Sequence, residues 1–151
     1  MDFDLNRTAF DKTNAVQSEK AVKVWEGLGC KVFKMTPDAH DAAFAAVSHL
    51  PHLIAFALMN GITSQDHGKD YLSLAGPGFR DFTRIAASEP KMWRDILLAN
   101  RQELLAQSQI FQRALQAMEV MIETGNNEAL EGLIAQASQT RTNWRMGTSK
   151  K

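Results

Sequence analysis

The segment AAVSHLPHLIAFAL, residues 45–58, sets the fold class predicted for this chain. Its apolar run is typical of a buried helix, but it contains His49 and His52 with Pro51 between them. A proline inside a helix removes one backbone N–H and crowds the carbonyl four residues earlier, so we predict a kinked helix over about residues 37–60. Two interpretations stay open: a structural bend with hydrogen-bonded histidines, or a bend that lines a pocket with His52 facing a ligand.

The longest predicted helix covers about residues 90–124. It begins at Pro90 and ends before Gly125. Its apolar residues at spacings of seven predict a coiled-coil-like seam through Leu97, Leu104, Phe111 and Met118. A helix of this length in so small a domain predicts that part of it packs against a second copy of the chain, giving a homodimer. The alternative is an ordinary packed helix of a bundle.

Shorter elements complete an all-α helical bundle with one strand. The predicted elements are helices over residues 18–28, 79–87 and 128–137, a short strand or extended link over residues 30–35 and a loop over residues 61–78. The predicted domain organisation is a linker or arm over residues 1–15, a helical domain over residues 16–140 and a flexible tail over residues 141–151.

Composition restricts the functional class. The chain has 151 residues with 17 basic and 17 acidic side chains, so no basic excess directs it to nucleic acid or to anionic lipid. Cys30 is the single cysteine, which excludes an internal disulfide and a cysteine-based zinc site and suits the cytoplasm. The longest apolar run, residues 53–59, is too short to cross a bilayer, so no membrane span is expected.

A second group of chemically distinctive residues lies in GPGFRDFTRIAAS, residues 76–88. Gly78 leaves the backbone free to approach a ligand. Arg80 and Arg84 are four residues apart, so they share one face of a helix, and Asp81 is placed to neutralise part of their repulsion. Two guanidinium groups suit a planar carboxylate ligand. A surface salt-bridge network explains the same residues equally well.

Other motifs are weaker or missing. The His40–Asp41 pair resembles the dyad of all-α HD-type metal phosphohydrolases, but that signature needs a further upstream histidine, and we expect no metal. Trp93, in the first turn of the long helix, is typical of a core anchor. No glycine-rich dinucleotide fingerprint, phosphate-binding loop or nucleophile elbow is present, so the residues alone predict no cofactor site and no nucleophile.

Two motifs together resemble one family. HDAAFAAVSHLPHLIAFAL, residues 40–58, and GPGFRDFTRIAASEPKMWRDILLANR, residues 76–101, resemble the C-terminal helical domain of prephenate dehydrogenases, whose relatives use arogenate. VWEGLGCKVFKMTP, residues 24–37, resembles the entry to that domain, and the likeness covers about residues 20–125. It implies a fold like the C-terminal domain of 6-phosphogluconate dehydrogenase. It also implies an N-terminal Rossmann domain that binds NAD or NADP and carries a catalytic histidine.

This sequence has neither the glycine fingerprint nor the family's H-P-x-A-G stretch, so we expect the second half of the enzyme alone, with no catalytic residue and no bound cofactor. The resemblance implies substrate contacts from His52, Arg84, Trp93 and Gly78, and supporting or gating roles for Ser48, His49 and Asp81. Arg84 would hold a carboxylate of the substrate, and the whole enzyme would perform an oxidative decarboxylation. The resemblance also implies a homodimer, and it leaves open whether tyrosine inhibits this protein. An HD-type phosphohydrolase and a helical dimerisation module without a ligand are the alternatives.

Overall fold

A computed structural model describes residues 4–8 and 14–145, the first of these ranges by its backbone. Most of the described chain is helical, which confirms the predicted all-α class. The helices are α1 (Ala15–Gly27), α2 (Pro37–Phe44), α3 (Leu50–Thr63), α4 (Gly68–Ser73), α5 (Pro77–Thr83), α6 (Pro90–Ala99), α7 (Arg101–Glu123) and α8 (Asn127–Asn143). The chain divides into two compact units, Met1–His40 with Gln109–Lys151, and Asp41–Ser108.

The first unit begins with a strand, a helix and a second strand. β1 (Asp4–Thr8) pairs in parallel with β2 (Lys31–Met35), and α1 connects them. The Asn14 side chain caps α1 by accepting a hydrogen bond from the Val16 N–H at 3.0 Å. The predicted strand at residues 30–35 is confirmed. Its partner, β1, lies inside the segment predicted as a linker or arm. This strand was not predicted because its five residues show no apolar alternation.

The C-terminal part of this unit is more regular than predicted. α8 begins behind Asn126, whose side chain accepts a hydrogen bond from the Ala129 N–H at 3.2 Å. It continues to Asn143, whereas the predicted helix stops at residue 137 and the predicted tail begins at residue 141. Arg141 lies 5.1 Å from the ring centroid of Trp144, a cation–π contact that holds the end of the helix. The remainder of the predicted tail, residues 146–151, lies outside the described residues.

The predicted kinked helix belongs mainly to the second unit. α2 and α3 are joined by a π-helical turn, Ala45–His49, directly before Pro51. The Leu50 N–H donates to the Ala45 carbonyl, five residues back, which is the bond of a π turn. The wider turn accommodates the proline without ending the helix. The interruption at the proline is confirmed, and the helix extends three residues beyond the predicted end.

This joined helix, Pro37–Thr63, is 27 residues long and, by length and composition alone, is long and apolar enough to cross a membrane. The apolar run of residues 53–59 is only part of this helix, which continues through Pro51 towards Pro37. Only 11% of its most apolar window is buried inside the chain. The same stretch also carries His40, Asp41, His49 and His52.

The single helix predicted over residues 90–124 is two helices in the structure. α6 and α7 are separated at Asn100, whose φ of −106° and ψ of 31° are not helical. The backbone hydrogen bonds nearly continue across the break, since the Asn100 N–H donates to Ile96 and its carbonyl accepts from Leu104. The predicted loop contains α4, and the predicted short helix is α5 followed by a 3-10 turn, Arg84–Ala87.

The core of the second unit lies around α3. α3 packs against α4, α5 and the 3-10 turn. Ala45 and Ala55 are fully buried, and Trp93 and Leu104 are 8% and 5% exposed. Where α3 meets α4, a Cβ on Gly68 would lie 2.3 Å from the Ile62 carbonyl oxygen, so only glycine fits there. The small residues and this glycine allow the short helices to pack closely around α3.

Candidate functional site

Four aromatic side chains meet between α3 and α6, and we call them the ring cluster: His49, His52, Phe56 and Trp93. The His52 ring stacks on Trp93, with centroids 3.5 Å apart and planes 19° from parallel. His49 and Phe56 meet Trp93 edge-to-face, at 6.3 Å and 6.4 Å. Residues 49, 52 and 56 fall on one face of a helix because they are spaced by three and four. Two of the predicted site histidines therefore share one tryptophan.

The orientation of His52 is fixed by a backbone carbonyl. Its Nδ1 lies 2.9 Å from the Ser48 carbonyl oxygen, four residues earlier. A carbonyl only accepts, so Nδ1 carries the proton, and the neutral ring leaves Nε2 as an acceptor. Ser48 contributes its backbone to this contact. The neutral His52 can therefore accept one hydrogen bond from a hydroxyl or an amine.

Asn100 is a site residue that the sequence reasoning missed. Its Nδ2 lies 2.7 Å from the Asp41 carbonyl oxygen and 3.2 Å from His49 Nδ1. The residue is 9% exposed and is the buried polar side chain of the described chain. In the sequence, Asn100 is an uncharged polar residue among the apolar positions of the predicted seam. An asparagine inside a predicted helix is usually assigned to the solvent face, so this position was not predicted to be buried.

The arginines of the second motif differ in their partners. Arg80 Nε donates to Asp81 Oδ1 at 3.0 Å, and both side chains are exposed. Arg84, at the start of the 3-10 turn, is also exposed. No side chain in the described part of the chain forms a hydrogen bond or an ion pair with Arg84. The predicted gate between Asp81 and Arg84 is therefore not formed within one chain, and a gate across a dimer stays a prediction.

An open groove of about 430 Å³ lies beside the ring cluster. It is lined by Phe56, Asn60, Ala86, Ser88, Pro90, Trp93, Arg94 and Leu97. Of the four predicted substrate contacts, Trp93 lines this groove. Gly78 lies in the exposed first turn of α5, with open space where a Cβ would be. His52 and Arg84 lie on elements that pack against each other, α3 and the 3-10 turn.

The described residues do not form a metal or dinucleotide site. Within residues 14–145, whose side chains are described, no group of three or more His, Cys, Asp or Glu side chains is placed to hold a metal ion. The helix that follows β1 starts at Ala15, behind the cap Asn14, and its first turn has no glycine. A dinucleotide needs glycines there, because its pyrophosphate approaches the backbone closely. These residues therefore do not fit NAD or NADP.

Comparison with known proteins identifies the family. The model of the prephenate dehydrogenase dimerization domain matches residues 36–136. The chain is 33% identical over 128 residues to the prephenate dehydrogenase of Bacillus subtilis (strain 168), covering 82% of this chain and 33% of that protein. It is 39% identical over 83 residues to the cyclohexadienyl dehydrogenase of Zymomonas mobilis, covering 54% of this chain and 28% of that protein. The family gives no support to an HD-type phosphohydrolase.

Similar solved structures support the same family. The prephenate dehydrogenase of A. aeolicus, in complex with hydroxyphenyl propionate and NAD+, matches with a TM-score of 0.86 and 34% identity over 92% of this chain and 49% of that one. Synechocystis arogenate dehydrogenase matches with a TM-score of 0.81 and 28% identity over 94% of this chain and 52% of that one. The chain thus spans about a third to a half of its relatives. It belongs to the prephenate dehydrogenase family and corresponds to the dimerization domain.

Proposed function

We propose that this chain is the dimerisation and substrate-pocket part of an NAD- or NADP-dependent dehydrogenase that acts on prephenate or arogenate in the cytoplasm. Family membership supports this, as do relatives named prephenate, cyclohexadienyl and arogenate dehydrogenase. The observation that carries the proposal is an exposed Arg84, unpaired within the described chain, on a turn packed against the helix that holds His52. The complete enzyme performs an oxidative decarboxylation, and the cofactor is held by a part outside the described residues.

Arg84 supplies the anion contact. Its guanidinium group carries a fixed positive charge and a planar pair of N–H donors, which match a carboxylate bidentately. The neighbouring carboxylate of Asp81 is bound by Arg80, so it does not neutralise Arg84 within the chain. An incoming carboxylate of the substrate takes that place. A gate with Asp81, and a backbone contact from Gly78, would come from the second copy of the chain.

His52 and Trp93 supply the neutral contacts. With Nδ1 bonded to Ser48, the neutral His52 offers Nε2 as an acceptor, which suits a hydroxyl group of the substrate. Stacking on Trp93 restricts the ring to one plane, so little freedom is lost when a ligand binds. Trp93 also lines the groove and gives it an apolar wall. Together these residues orient the substrate and leave the proton and hydride transfers to the rest of the enzyme.

A second copy of the chain covers the apolar surfaces. Five apolar side chains of α7 are between 45% and 64% exposed: Leu105, Ile110, Leu115, Val120 and Ile122. The long helix Pro37–Thr63 is also only slightly buried within one chain. In a dimerisation domain these faces pack against their symmetry mates, and the three histidines and two aspartates of that helix make a lipid environment costly. Inhibition by tyrosine would act at the same pocket.

The strand–helix–strand segment joins this chain to an α/β cofactor domain. Parallel sheets occur almost only where helices cover both faces, and two strands alone leave both sheet edges open. α1 has no buried residue and exposes Val16, Val24, Trp25 and Leu28. Further parallel strands of a cofactor domain would extend this sheet and cover the helix. The segment is thus the attachment point for the cofactor-binding half.

A chimera tests the proposal. This chain is joined behind the residues of the Bacillus subtilis enzyme that precede its aligned 128-residue segment. We expect reduction of NAD+ that depends on prephenate or arogenate, which neither part gives alone. The native Bacillus subtilis enzyme serves as the positive control.

Binding of NAD+ by the chimera and its oligomeric state are measured alongside the activity. A folded, dimeric chimera that binds NAD+ and oxidises neither compound would contradict the proposal. That result would favour the alternative of a dimerisation module without a substrate site.

A further inference from the structure

Asn100 connects three separate parts of the Asp41–Ser108 unit. Its backbone belongs to the break between α6 and α7, and its amide reaches Asp41 in α2 and His49 in the π turn. These contacts span 59 and 51 residues of sequence. A side-chain amide that is 9% exposed must be hydrogen-bonded to offset its lost hydration. Asn100 therefore has a defined orientation.

The direction of the amide follows from its first partner. The Asp41 carbonyl oxygen can only accept a hydrogen bond, so the amide nitrogen of Asn100 must face it at 2.7 Å. The amide oxygen in that place would set two acceptors against each other. The same nitrogen has a second hydrogen, and His49 Nδ1 lies 3.2 Å away. Asn100 thus acts as a donor to both partners.

We propose that Asn100 is a positioning residue that holds His49 as the tautomer with its proton on Nε2. Nδ1 faces a group that donates, so it must present its lone pair. A proton on Nδ1 would point at the amide N–H group and break the contact. His52 has the opposite assignment, because its Nδ1 donates to Ser48. In the His-Leu-Pro-His segment, Nδ1 is therefore a donor on His52 and an acceptor on His49.

The ring contacts extend the effect of Asn100 beyond His49. His49 meets Trp93 with planes 79° apart, and Trp93 stacks on His52. A His49 ring that turned to find another donor would lose this edge-to-face contact and free Trp93 to tilt. The step from Trp93 to substrate binding by His52 rests on the proposed function. The tautomer of His49 does not.

Nitrogen NMR of the histidine rings tests the tautomers directly. In the 15N-labelled chain, two-bond 1H–15N correlations distinguish protonated from unprotonated ring nitrogens, and single His→Gln variants assign the four histidines. We expect an unprotonated Nδ1 at His49 and an unprotonated Nε2 at His52. A protonated Nδ1 at His49 in the unmodified chain would overturn the proposal without any variant.

Substitutions then test the role of Asn100. Asn100→Asp replaces the donor with acceptors, so His49 should move its proton to Nδ1 while His52 keeps its pattern. Asn100→Ala removes the donor, and the ring-nitrogen signals of His49 should move away from those of the tautomer protonated on Nε2. Asn127→Asp, the same chemical change at an exposed residue in the first turn of α8, should leave both histidines unchanged. An unaltered His49 pattern in folded Asn100→Asp or Asn100→Ala would contradict the assignment.

These measurements need no substrate and no cofactor, so they separate the two proposals. An inactive chimera with the expected tautomers would sink the dehydrogenase proposal alone. An active chimera whose His49 carries its proton on Nδ1 would sink the tautomer proposal alone. In an active chimera, Asn100→Ala should raise the KM for substrate several-fold and leave the KM for NAD+ unchanged.

Discussion

Two tryptophans show how differently the two regions of this chain are completed. Trp93, in the Asp41–Ser108 unit, is 8% exposed and contacts three other rings. Trp25, in the last turn of α1, is 41% exposed, on a helix with no buried residue. Both are large apolar side chains near a helix end. The first is enclosed by side chains of the same chain, whereas much of the second is exposed.

The exposure of the two tryptophans differs because one region is built from helices and the other from a pair of parallel strands and one helix. Helices of the ring cluster satisfy their own backbone hydrogen bonds, so a few interlocking side chains suffice to pack them. A parallel pair of strands needs neighbours at its edges and helices on both faces. Consequently the ring cluster is packed within one chain, while the strand–helix–strand segment has no buried residue in its helix. Four predictions test this contrast.

The largest effect is expected from removing the tryptophan that is enclosed by the chain. Trp93→Ala should lower the free energy of unfolding by about 3–5 kcal/mol, because it empties the centre of the ring cluster. Trp25→Ala should cost less than about 1 kcal/mol in the isolated chain, since much of that side chain is already in water. Urea unfolding followed by circular dichroism measures both. Equal losses would contradict the contrast between the two regions.

The second prediction concerns the two arginines of α5 and the 3-10 turn. In the active chimera, Arg84→Ala should raise the KM for substrate roughly 30- to 150-fold, because charge-assisted hydrogen bonds worth about 2–3 kcal/mol are lost. Arg80→Ala should change it by less than about 3-fold, as an exposed ion pair contributes little. The KM for NAD+ is the internal control and should not change. A larger effect at Arg80 than at Arg84 would reverse the assignment.

Sequence reasoning succeeded where a local pattern determines the structure. Pro51 inside an apolar run predicts a kinked helix, and a π turn lies directly before it. The helix predicted over residues 18–28 is followed by Gly29, whose positive φ of 85° glycine adopts readily. The motifs around His52 and Arg84 identify the family. In each of these cases the relevant interaction lies within one or two helical turns.

Features that depend on distant partners were not predictable. The strand Asp4–Thr8 exists because β2 lies beside it, and its own five residues do not indicate it. The break at Asn100 exists because its amide bonds to residues more than fifty positions away. Likewise, the residues of the predicted seam gave no sign that the helix starts anew at Arg101. Long-range hydrogen bonds override helix propensity at these positions.

The third prediction concerns the apolar face of α7, which should be covered by a second copy. Ile122→Glu should weaken the dimer by about 2 kcal/mol, roughly 30-fold in Kd, because it would bury a charge without a partner. Gln116→Glu introduces the same charge at an exposed polar residue and should leave the dimer intact. Sedimentation equilibrium measures both. Dimers of equal strength would place the interface elsewhere.

The smallest change in stability is expected from two glycines, one on an open helix surface and one in a closely packed position. Gly132 lies inside α8 with open space where a methyl group would be, so Gly132→Ala should stabilise the chain by about 0.5–1 kcal/mol through helix propensity. Gly68→Ala should destabilise it, because its methyl group would meet the Ile62 carbonyl oxygen at 2.3 Å. Thermal unfolding compares the pair. A gain at both positions would mean that α4 can move away from α3, and the Asp41–Ser108 unit would then be less tightly packed than its ring cluster indicates.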